Sequence, residues 1–333
     1  MKKRIAINGF GRIGRLTYRA LRNRPDVEVV AINDLTDNPT LAHLLKYDTA
    51  HRKMNAIISA GENYIEVDGY KILAFAIKDP LALPWKDLDI DIVLECTGIY
   101  LTSEAAGAHL KAGAKKVILS APPKDDSIPT FVFGVNDHEL TAEHNILSNA
   151  SCTTNCFAPI VKILNETWGL QFANMNTIHA YTQDQRLQDA PHKDLRRARA
   201  AALNVIPTST GANKAVSEVY PPIKGKLFGS SYRVPVITGS MIEVFCSFEK
   251  NTTADEINKK FKELAEGPLK GILEYTTDPL VSSDIIGNNH SAIFDSELTE
   301  CKGNLAKIVA WYDNENGYSN RLADMCVKLA SLI

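Results

Sequence analysis

Lys3-Arg4-Ile5-Ala6-Ile7-Asn8-Gly9-Phe10-Gly11-Arg12-Ile13-Gly14 decides how the first half of the chain folds. Lys3 to Asn8 reads as a strand, Gly-x-Gly-x-x-Gly follows at once, and the amphipathic stretch Arg15 to Leu21 reads as a helix. A second strand, Val27 to Asn33, ends at Asp34, twenty residues beyond the last glycine of the motif (34 − 14). Strand, glycine turn, helix, strand and acid in this order form a dinucleotide-binding fingerprint. Gly9 permits the tight turn, Gly11 lets the backbone approach a pyrophosphate, and Gly14 lets the helix pack on the strand. The pyrophosphate then lies over the helix N-terminus, where backbone N–H groups have no partner. Asp34 accepts hydrogen bonds from the adenosine ribose, and its charge repels a 2′-phosphate, so NAD is expected over NADP.

Downstream of the fingerprint, Leu41 to Tyr47 reads as a short helix and residues 52–77 as a small antiparallel excursion turning at Asp68-Gly69. The next strand begins at Ile90 and runs through Cys96 into Thr97-Gly98. Helix Ser103 to Ala114 follows, with Ser103 as its N-cap. Lys116 to Leu119 is a strand ending at Ser120; Thr130 to Val135 and Asn145 to Leu147 are expected to complete the sheet. Strands alternating with helices predict an α/β fold, a Rossmann-type doubly wound parallel sheet. The ligand lies at the carboxyl ends of its strands, beside Asn8, Asp34, Thr97 and Ser120.

The second decisive stretch is Ser148-Asn149-Ala150-Ser151-Cys152-Thr153-Thr154-Asn155-Cys156. It is a polar turn between a strand end and a helix, so Cys152 sits at the positive end of a helix dipole, which favours thiolate. The alternative, a buried structural cysteine, is opposed by its Ser, Thr and Asn neighbours. Beyond it, Met175 to Thr182 is strand-like and carries His179. Taken alone, a strand histidine is more often a hydrogen-bonded structural residue than a catalyst. Residues 183–209 are polar and irregular and hold His192-Lys193-Asp194-Leu195-Arg196-Arg197-Ala198-Arg199. This basic cluster reads as a solvated face, an anion site or, last because no aromatics interleave it, a nucleic-acid patch. Thr208-Ser209-Thr210-Gly211 precedes the helix-like Ala212 to Val219, a second donor-rich helix start. Long strands over 226–249, a helix over 254–265, further strands at 272–275, 291–294 and 308–312, and a last amphipathic helix to Leu332 predict an α+β domain with a largely antiparallel sheet. In that last helix Leu322, Met325, Cys326, Leu329 and Leu332 share a face. The expected division is 1–150 for the dinucleotide-binding domain, joined by the helix 317–333, and 151–316 for the catalytic domain.

A chain of 333 residues holds two domains with full cores, and a net charge of −2 gives no general attraction to nucleic acid or anionic membrane. Met1-Lys2-Lys3-Arg4 runs straight into the first strand, so no signal peptide is read, and no apolar run is of membrane-spanning length. The six cysteines are scattered and no histidines cluster with them, so neither a disulfide framework nor a metal site is expected. A reducing, cytoplasmic setting fits this usage.

Several stretches together resemble the phosphorylating glyceraldehyde-3-phosphate dehydrogenase family: Ile7 to Arg15, Ser148 to Cys156, His179, His192 to Arg197, Thr210-Gly211, Arg233-Val234-Pro235 and Trp311-Tyr312-Asp313-Asn314-Glu315. The resemblance covers nearly the whole chain, and Ser-Cys-Thr-Thr-Asn-Cys is its most specific part. It implies that Cys152 is the nucleophile adding to an aldehyde and that His179 raises its thiolate population and acts as base. Lowering an ordinary thiol by about two units is worth roughly 2.7 kcal/mol. By the same resemblance Thr182, Arg197 and Arg233 hold the substrate's C3 phosphate, and Ser151, Thr153, Thr210 and Gly211 hold the attacking inorganic phosphate. Arg12, Ile13, Asp34, Lys78, Ser120 and Asn314 contact NAD, Tyr318 lies near the nicotinamide, and residues 183–209 pack between subunits of a homotetramer. The implied reaction is oxidation and phosphorylation of glyceraldehyde 3-phosphate through a thioester.

The chain departs from the family pattern at Asn316, where an aromatic is common, at Val236 to Ser240 and at Ala190, where Leu commonly precedes Pro. The first bears on local packing and the last on tolerance of NADP, which Asp34 still opposes. The alternatives are an erythrose-4-phosphate dehydrogenase, against which Thr182 and Thr208 to Gly211 argue, and an RNA- or surface-binding role supported only by Arg196, Arg197 and Arg199.

Overall fold

A computed structural model describes residues 2–333. The chain divides into two compact units, one built from the residues up to Phe131, Glu139–Ala150 and Ser319–Ile333, the other from Val132–His138 and Ser151–Tyr318.

The first unit carries β1 (Lys3–Asn8), α1 (Arg12–Leu21), β2 (Val27–Asn33), α2 (Asn38–Lys46), β3 (Ile58–Ala60), β4 (Tyr64–Val67), β5 (Tyr70–Phe75), β6 (Ile92–Glu95), α3 (Ser103–Lys111), β7 (Lys116–Leu119) and β8 (Ile146–Ser148). Its sheet runs β3-β4-β5-β2-β1-β6-β7-β8. From β5 to β8 all pairs are parallel, whereas β3, β4 and β5 pair antiparallel. At the centre of the parallel part, β6 (Ile-Val-Leu-Glu) and β7 are wholly buried, as strands covered on both faces must be, and β1 and β2 are buried over their carboxyl halves. The antiparallel excursion turns at Asp68 (φ 50°) and Gly69 (φ 85°), the left-handed pair a two-residue hairpin requires. Its last strand then joins the main sheet beside β2 rather than standing apart.

Two expectations are corrected here. Thr130 to Val135 is not a strand: Thr130 makes only an isolated bridge to Ser148. Beyond it Val132 N–H donates to Asn136 Oδ1 (2.9 Å) and Gly134 N–H to Asp137 Oδ1 (2.9 Å), with Gly134 at φ 77°. Side-chain acceptors in the next turn outcompete a ladder, and residues 132–138 cluster with the second unit. The cap of α3 is Thr102, whose hydroxyl accepts from Ala105 N–H, while Ser103 N–H donates to Asp125. The last helix, α7 (Asn316–Leu332), keeps the expected face, with Leu322, Met325, Cys326 and Leu329 buried and Leu332, in the final turn, 41 % exposed.

The second unit carries α4 (Cys152–Trp168), β9 (Leu170–Ala180), β10 (Ile206–Thr208), α5 (Ala212–Val219), β11 (Leu227–Val234), β12 (Ser240–Phe248), α6 (Ala254–Glu266), β13 (Leu273–Thr276), β14 (Ala292–Lys302) and β15 (Leu305–Tyr312). The sheet order is β10-β11-β9-β12-β15-β14-β13, antiparallel except for β11–β9 and β13–β14. Along β9 the side chains alternate, with Ala173, Met175, Thr177 and His179 buried and Phe172, Asn174, Asn176 and Ile178 on the opposite face. α4 packs on this sheet and buries most of its length. α6 begins with a capping box between Thr253 and Glu256.

Candidate active site

Cys152 is the first residue of α4, and its N-cap Ser151 accepts from Thr154 N–H at 3.1 Å. The chain enters this helix through Ala150, at φ 57°, a left-handed conformation that costs a non-glycine residue about 1–3 kcal/mol. Cys152 Sγ lies 3.4 Å from His179 Nε2, on β9. The other ring nitrogen, Nδ1, is 2.7 Å from Ala180 O and 2.5 Å from Arg233 Nη1, which also donates to Ala180 O at 3.0 Å. The parallel register of β9 and β11 pairs His179 with Arg233, which brings the two side chains together. The two contacts at Nδ1 demand opposite roles. A carbonyl only accepts, so the 2.7 Å contact is satisfied by Nδ1–H, and the guanidinium has that carbonyl as its own acceptor. This tautomer turns the Nε2 lone pair toward Cys152.

Burial pushes the Cys152 thiol up, opposed by Arg233, the Thr153 hydroxyl and the backbone N–H groups of Thr153 and Cys152. His179 is lowered to about 3, first by burial and then by Arg233, with the Ala180 carbonyl opposing. The expectation of a thiol lowered by its surroundings is therefore corrected: each group, taken singly, is held neutral because charge is costly in a buried site. Transfer of the proton from Sγ to Nε2 leaves the net charge of the pair unchanged, so the geometry remains that of a thiol and its base.

Beside this pair stands one residue to which the sequence assigned no role. Tyr312 meets the His179 ring edge-on at 5.9 Å between centroids, and its hydroxyl bonds Thr153 Oγ1 (3.0 Å) and Thr177 Oγ1 (2.9 Å). Tyr312 stood inside the quoted Trp311 to Glu315 stretch, but nothing local marked its hydroxyl. Arg197 Nε donates to Thr208 Oγ1 (2.7 Å), and its guanidinium is paired with Asp184 and, at 3.4 Å, with Asp194. Burial raises Asp184, but bonds from Arg197 and His192 outweigh it and hold the carboxyl below its usual range. Thr182 donates through N–H (2.8 Å) and Oγ1 (3.1 Å) to Gln185 Oε1. Arg233 and Arg197 are near enough for Arg197 to disfavour the charge on Arg233, which burial already opposes. Thr210 Oγ1 accepts from Ala212 N–H at 3.2 Å, and Gly211 caps α5 with no side-chain acceptor. Ser151 and Thr153 thus keep internal partners, Ser151 with Thr154 Oγ1 at 2.8 Å. Asn314 is fixed through Oδ1, which accepts from Gly239 N–H (3.1 Å) and Ser240 Oγ (2.8 Å), and these bonds leave its amide nitrogen unused. Tyr318 is buried in the first turn of α7.

In the first unit, Gly11 caps α1 without a side-chain bond, and Arg12 and Ile13 open the helix. A Cβ on Gly9 would stand 2.7 Å from Thr97 N, and one on Gly14 2.2 Å from Gly9 O; both glycines serve the packing of the turn. A Cβ on Gly11 would meet no protein atom within 4 Å, so its missing side chain leaves room for something outside the chain, as a pyrophosphate cradle requires. Asp34 Oδ2 accepts from Phe10 N–H at 2.8 Å and Oδ1 from Thr36 N–H at 3.0 Å, which fixes the carboxylate at the end of β2. The Arg12 guanidinium is tied to Asp48 at 2.7 Å, and the helix start it belongs to has no side-chain cap. Lys78 is exposed, Ser120 is half-buried at the end of β7, and Thr97 is held by Glu95. These features fit a dinucleotide. Among the described residues there is no cluster of metal-ligating side chains and no helix long and apolar enough to cross a membrane.

Comparison with known proteins agrees with both halves. Residues 3–103 match the family described as "Glyceraldehyde 3-phosphate dehydrogenase, NAD binding domain", and residues 151–314 its "C-terminal domain". The "Glyceraldehyde-3-phosphate dehydrogenase" of Mycolicibacterium smegmatis is 54% identical over 333 residues, covering 98% of each chain. That of Mycobacterium tuberculosis (strain ATCC 25618 / H37Rv) is 55% identical over 332 residues, and "Glyceraldehyde-3-phosphate dehydrogenase 1" of Bacillus cereus 53% over 330, again over 98% of each chain. With its NAD-binding N-terminal part and its C-terminal domain both matched, this chain belongs to the glyceraldehyde-3-phosphate dehydrogenase family.

Proposed function

We propose that this chain oxidises and phosphorylates D-glyceraldehyde 3-phosphate to 1,3-bisphosphoglycerate, with NAD and inorganic phosphate, in glycolysis and gluconeogenesis. The observation that carries the reading is the Cys152 thiol at the start of α4, 3.4 Å from a buried histidine that is itself backed by Arg233. His179 takes the thiol proton as Sγ adds to the aldehyde carbon and returns it to the former carbonyl oxygen, giving a thiohemiacetal and a neutral imidazole again; a neutral imidazole with its lone pair at Nε2 is the form this step needs. The backbone N–H of Cys152 donates to the developing oxyanion, and the helix dipole favours the charge. His179 next accepts the hemiacetal hydroxyl proton as the C–H bond breaks. Bound NAD supplies the hydride acceptor. The thioester left on Cys152 is attacked by phosphate, the C–S bond breaks, and acyl phosphate and thiolate are released.

Roles for the surrounding residues follow from their chemistry. Arg197, Arg233 and Thr182 hold the C3 phosphate, two guanidinium forks and a hydroxyl. Ser151, Thr153, Thr210 and Gly211 hold the attacking phosphate at two helix starts. Gly9, Gly11, Gly14, Arg12 and Ile13 seat the pyrophosphate, Asp34 the ribose, Asn314 the carboxamide, and Lys78, Thr97, Ser120 and Tyr318 line the remainder of the cofactor site. The bonds that now engage Thr182, Arg197 and Ser151 are exchanged for bonds to phosphate when substrate binds.

A cytoplasmic homotetramer is the proposed state, with no role for nucleic acid. Its support is apolar exposure: register puts Phe172, Phe228, Phe245 and Leu305 on the open face of the second sheet, and Leu187, Leu195 and Leu203 project from the 183–209 loop. Sedimentation of the purified chain tests this. The activity test is NADH formation from glyceraldehyde 3-phosphate with and without phosphate, and from erythrose 4-phosphate. Steady turnover that ignores phosphate, or a higher kcat/KM for the four-carbon aldehyde, overturns the assignment.

A further inference from the structure

Glu95, at the end of β6 in the middle of the first sheet, is 0 % exposed, and so is His109 on α3. Neither takes part in the chemistry above, and a buried carboxylate persists only where donors surround it. Here Oε1 accepts from Thr97 N–H (2.8 Å) and from Thr97 Oγ1, while Oε2 accepts from Asn8 Nδ2 (2.6 Å) and His109 Nε2 (3.0 Å). Trp85 Nε1–H donates to His109 Nδ1 at 3.0 Å. An indole only donates, so Nδ1 is an acceptor, Nε2 carries the proton, and the imidazole is locked as a donor to Glu95.

The network reaches further. Asn8, Asn33 and Glu95 occupy one register row across β2, β1 and β6, and Asn33 Nδ2 donates to Asn8 Oδ1 at 2.7 Å. Asn33 also exchanges bonds with Ile77 through Nδ2 and Oδ1, both at 2.9 Å, next to Lys78. One carboxylate therefore ties together the carboxyl ends of adjacent strands and Thr97, against whose backbone Gly9 is packed too closely to admit a Cβ.

The geometry points to Glu95 and His109 as positioning residues for NAD: the Trp85–His109–Glu95 relay sets Thr97 and the Gly9 turn at the height the dinucleotide needs. The inference rests on the dinucleotide reading of this unit. Polarity makes it testable. His109→Gln can still accept from Trp85 and donate to Glu95, whereas His109→Leu can do neither. Trp85→Phe removes the donor that locks the ring and lets it present a lone pair to the carboxylate.

The Kd for NAD is measured by calorimetry on the full chain, alongside KM for glyceraldehyde 3-phosphate. His109→Leu and Trp85→Phe are expected to weaken NAD about tenfold with KM for the aldehyde within about twofold, and His109→Gln to stay within about threefold of the parent. Unchanged NAD affinity in both His109→Leu and Trp85→Phe overturns the proposal, as does equal loss in His109→Gln and His109→Leu. Should His109→Leu not fold, Trp85→Phe and His109→Gln decide it alone, the first weakening NAD and the second not; the reverse overturns it. Failure of the parent chain to bind NAD would instead sink the cofactor reading itself.

Discussion

Arg233 Nη1 lies 2.5 Å from His179 Nδ1, while the opposite nitrogen of the same ring lies 3.4 Å from Cys152 Sγ. The residue proposed to grip the substrate's phosphate thus also presses a positive charge on the catalytic base. Arg233→Leu is expected to raise KM for glyceraldehyde 3-phosphate by roughly 10- to 100-fold, the worth of charge-assisted hydrogen bonds of about 1.5–3 kcal/mol. Unphosphorylated glyceraldehyde should lose far less. Equal losses in kcat/KM for the two aldehydes rule out the phosphate role.

His179 is expected to matter for the reactivity of the thiol as well as for turnover. Burial alone moves Cys152 up, so without the base a neutral alkylating reagent such as iodoacetamide should react only as pH climbs well above neutrality. In His179→Asn the alkylation rate at neutral pH should fall and kcat should drop by roughly 10²- to 10⁴-fold. Native and variant proteins alkylating at the same rate near pH 7 would remove the base assignment.

The same histidine makes the fold sensitive to acid. Its folded pKa is about 3, below the ordinary value of about 6.5. The unfolded chain therefore binds a proton that the folded chain refuses, and stability falls as pH drops from about 6.5 toward 3. The slope from this one group is at most about 1.4 kcal/mol per pH unit. Thermal unfolding midpoints at pH 7.5 and 5.5 should converge in His179→Asn; an undiminished acid slope in the variant places the sensitivity elsewhere.

Gly11 and Gly14 separate binding from folding within one motif. Gly14→Ala drives a methyl to 2.2 Å from Gly9 O and should destabilise the chain by several kcal/mol through overpacking against backbone. Gly11→Ala meets no protein atom, and its φ of −70° suits alanine, so stability should stay within about 0.5 kcal/mol while NAD affinity drops at least tenfold. Unfolding and NAD titration of the two variants check this, and a Gly11→Ala protein with native affinity would leave the cradle unsupported.

What could be read from the chain alone was local. The glycine fingerprint, the Asp68-Gly69 hairpin, the helix start at Cys152 and the last helix are each settled within a few residues, by backbone conformation, capping and apolar spacing. Thr130 to Val135 misled because an apolar run looks the same whether it joins a ladder or is claimed by the Asn136 and Asp137 side chains. The resemblance supplied Arg233 and His179 as names in a motif, but only strand register set them side by side, 54 residues apart in sequence. Tyr312 under Thr153, Asp184 on Arg197 and the Trp85–His109–Glu95 relay had no sequence signal at all. Buried polar groups find partners wherever packing delivers them, and that choice depends on which strands lie next to which and in what register. The sequence by itself determined where a thiol, a base and a nucleotide turn would occur along the chain; the tertiary structure decided their protonation, because burial holds Cys152 neutral against the pull of Arg233, while burial and the Arg233 guanidinium together hold His179 neutral.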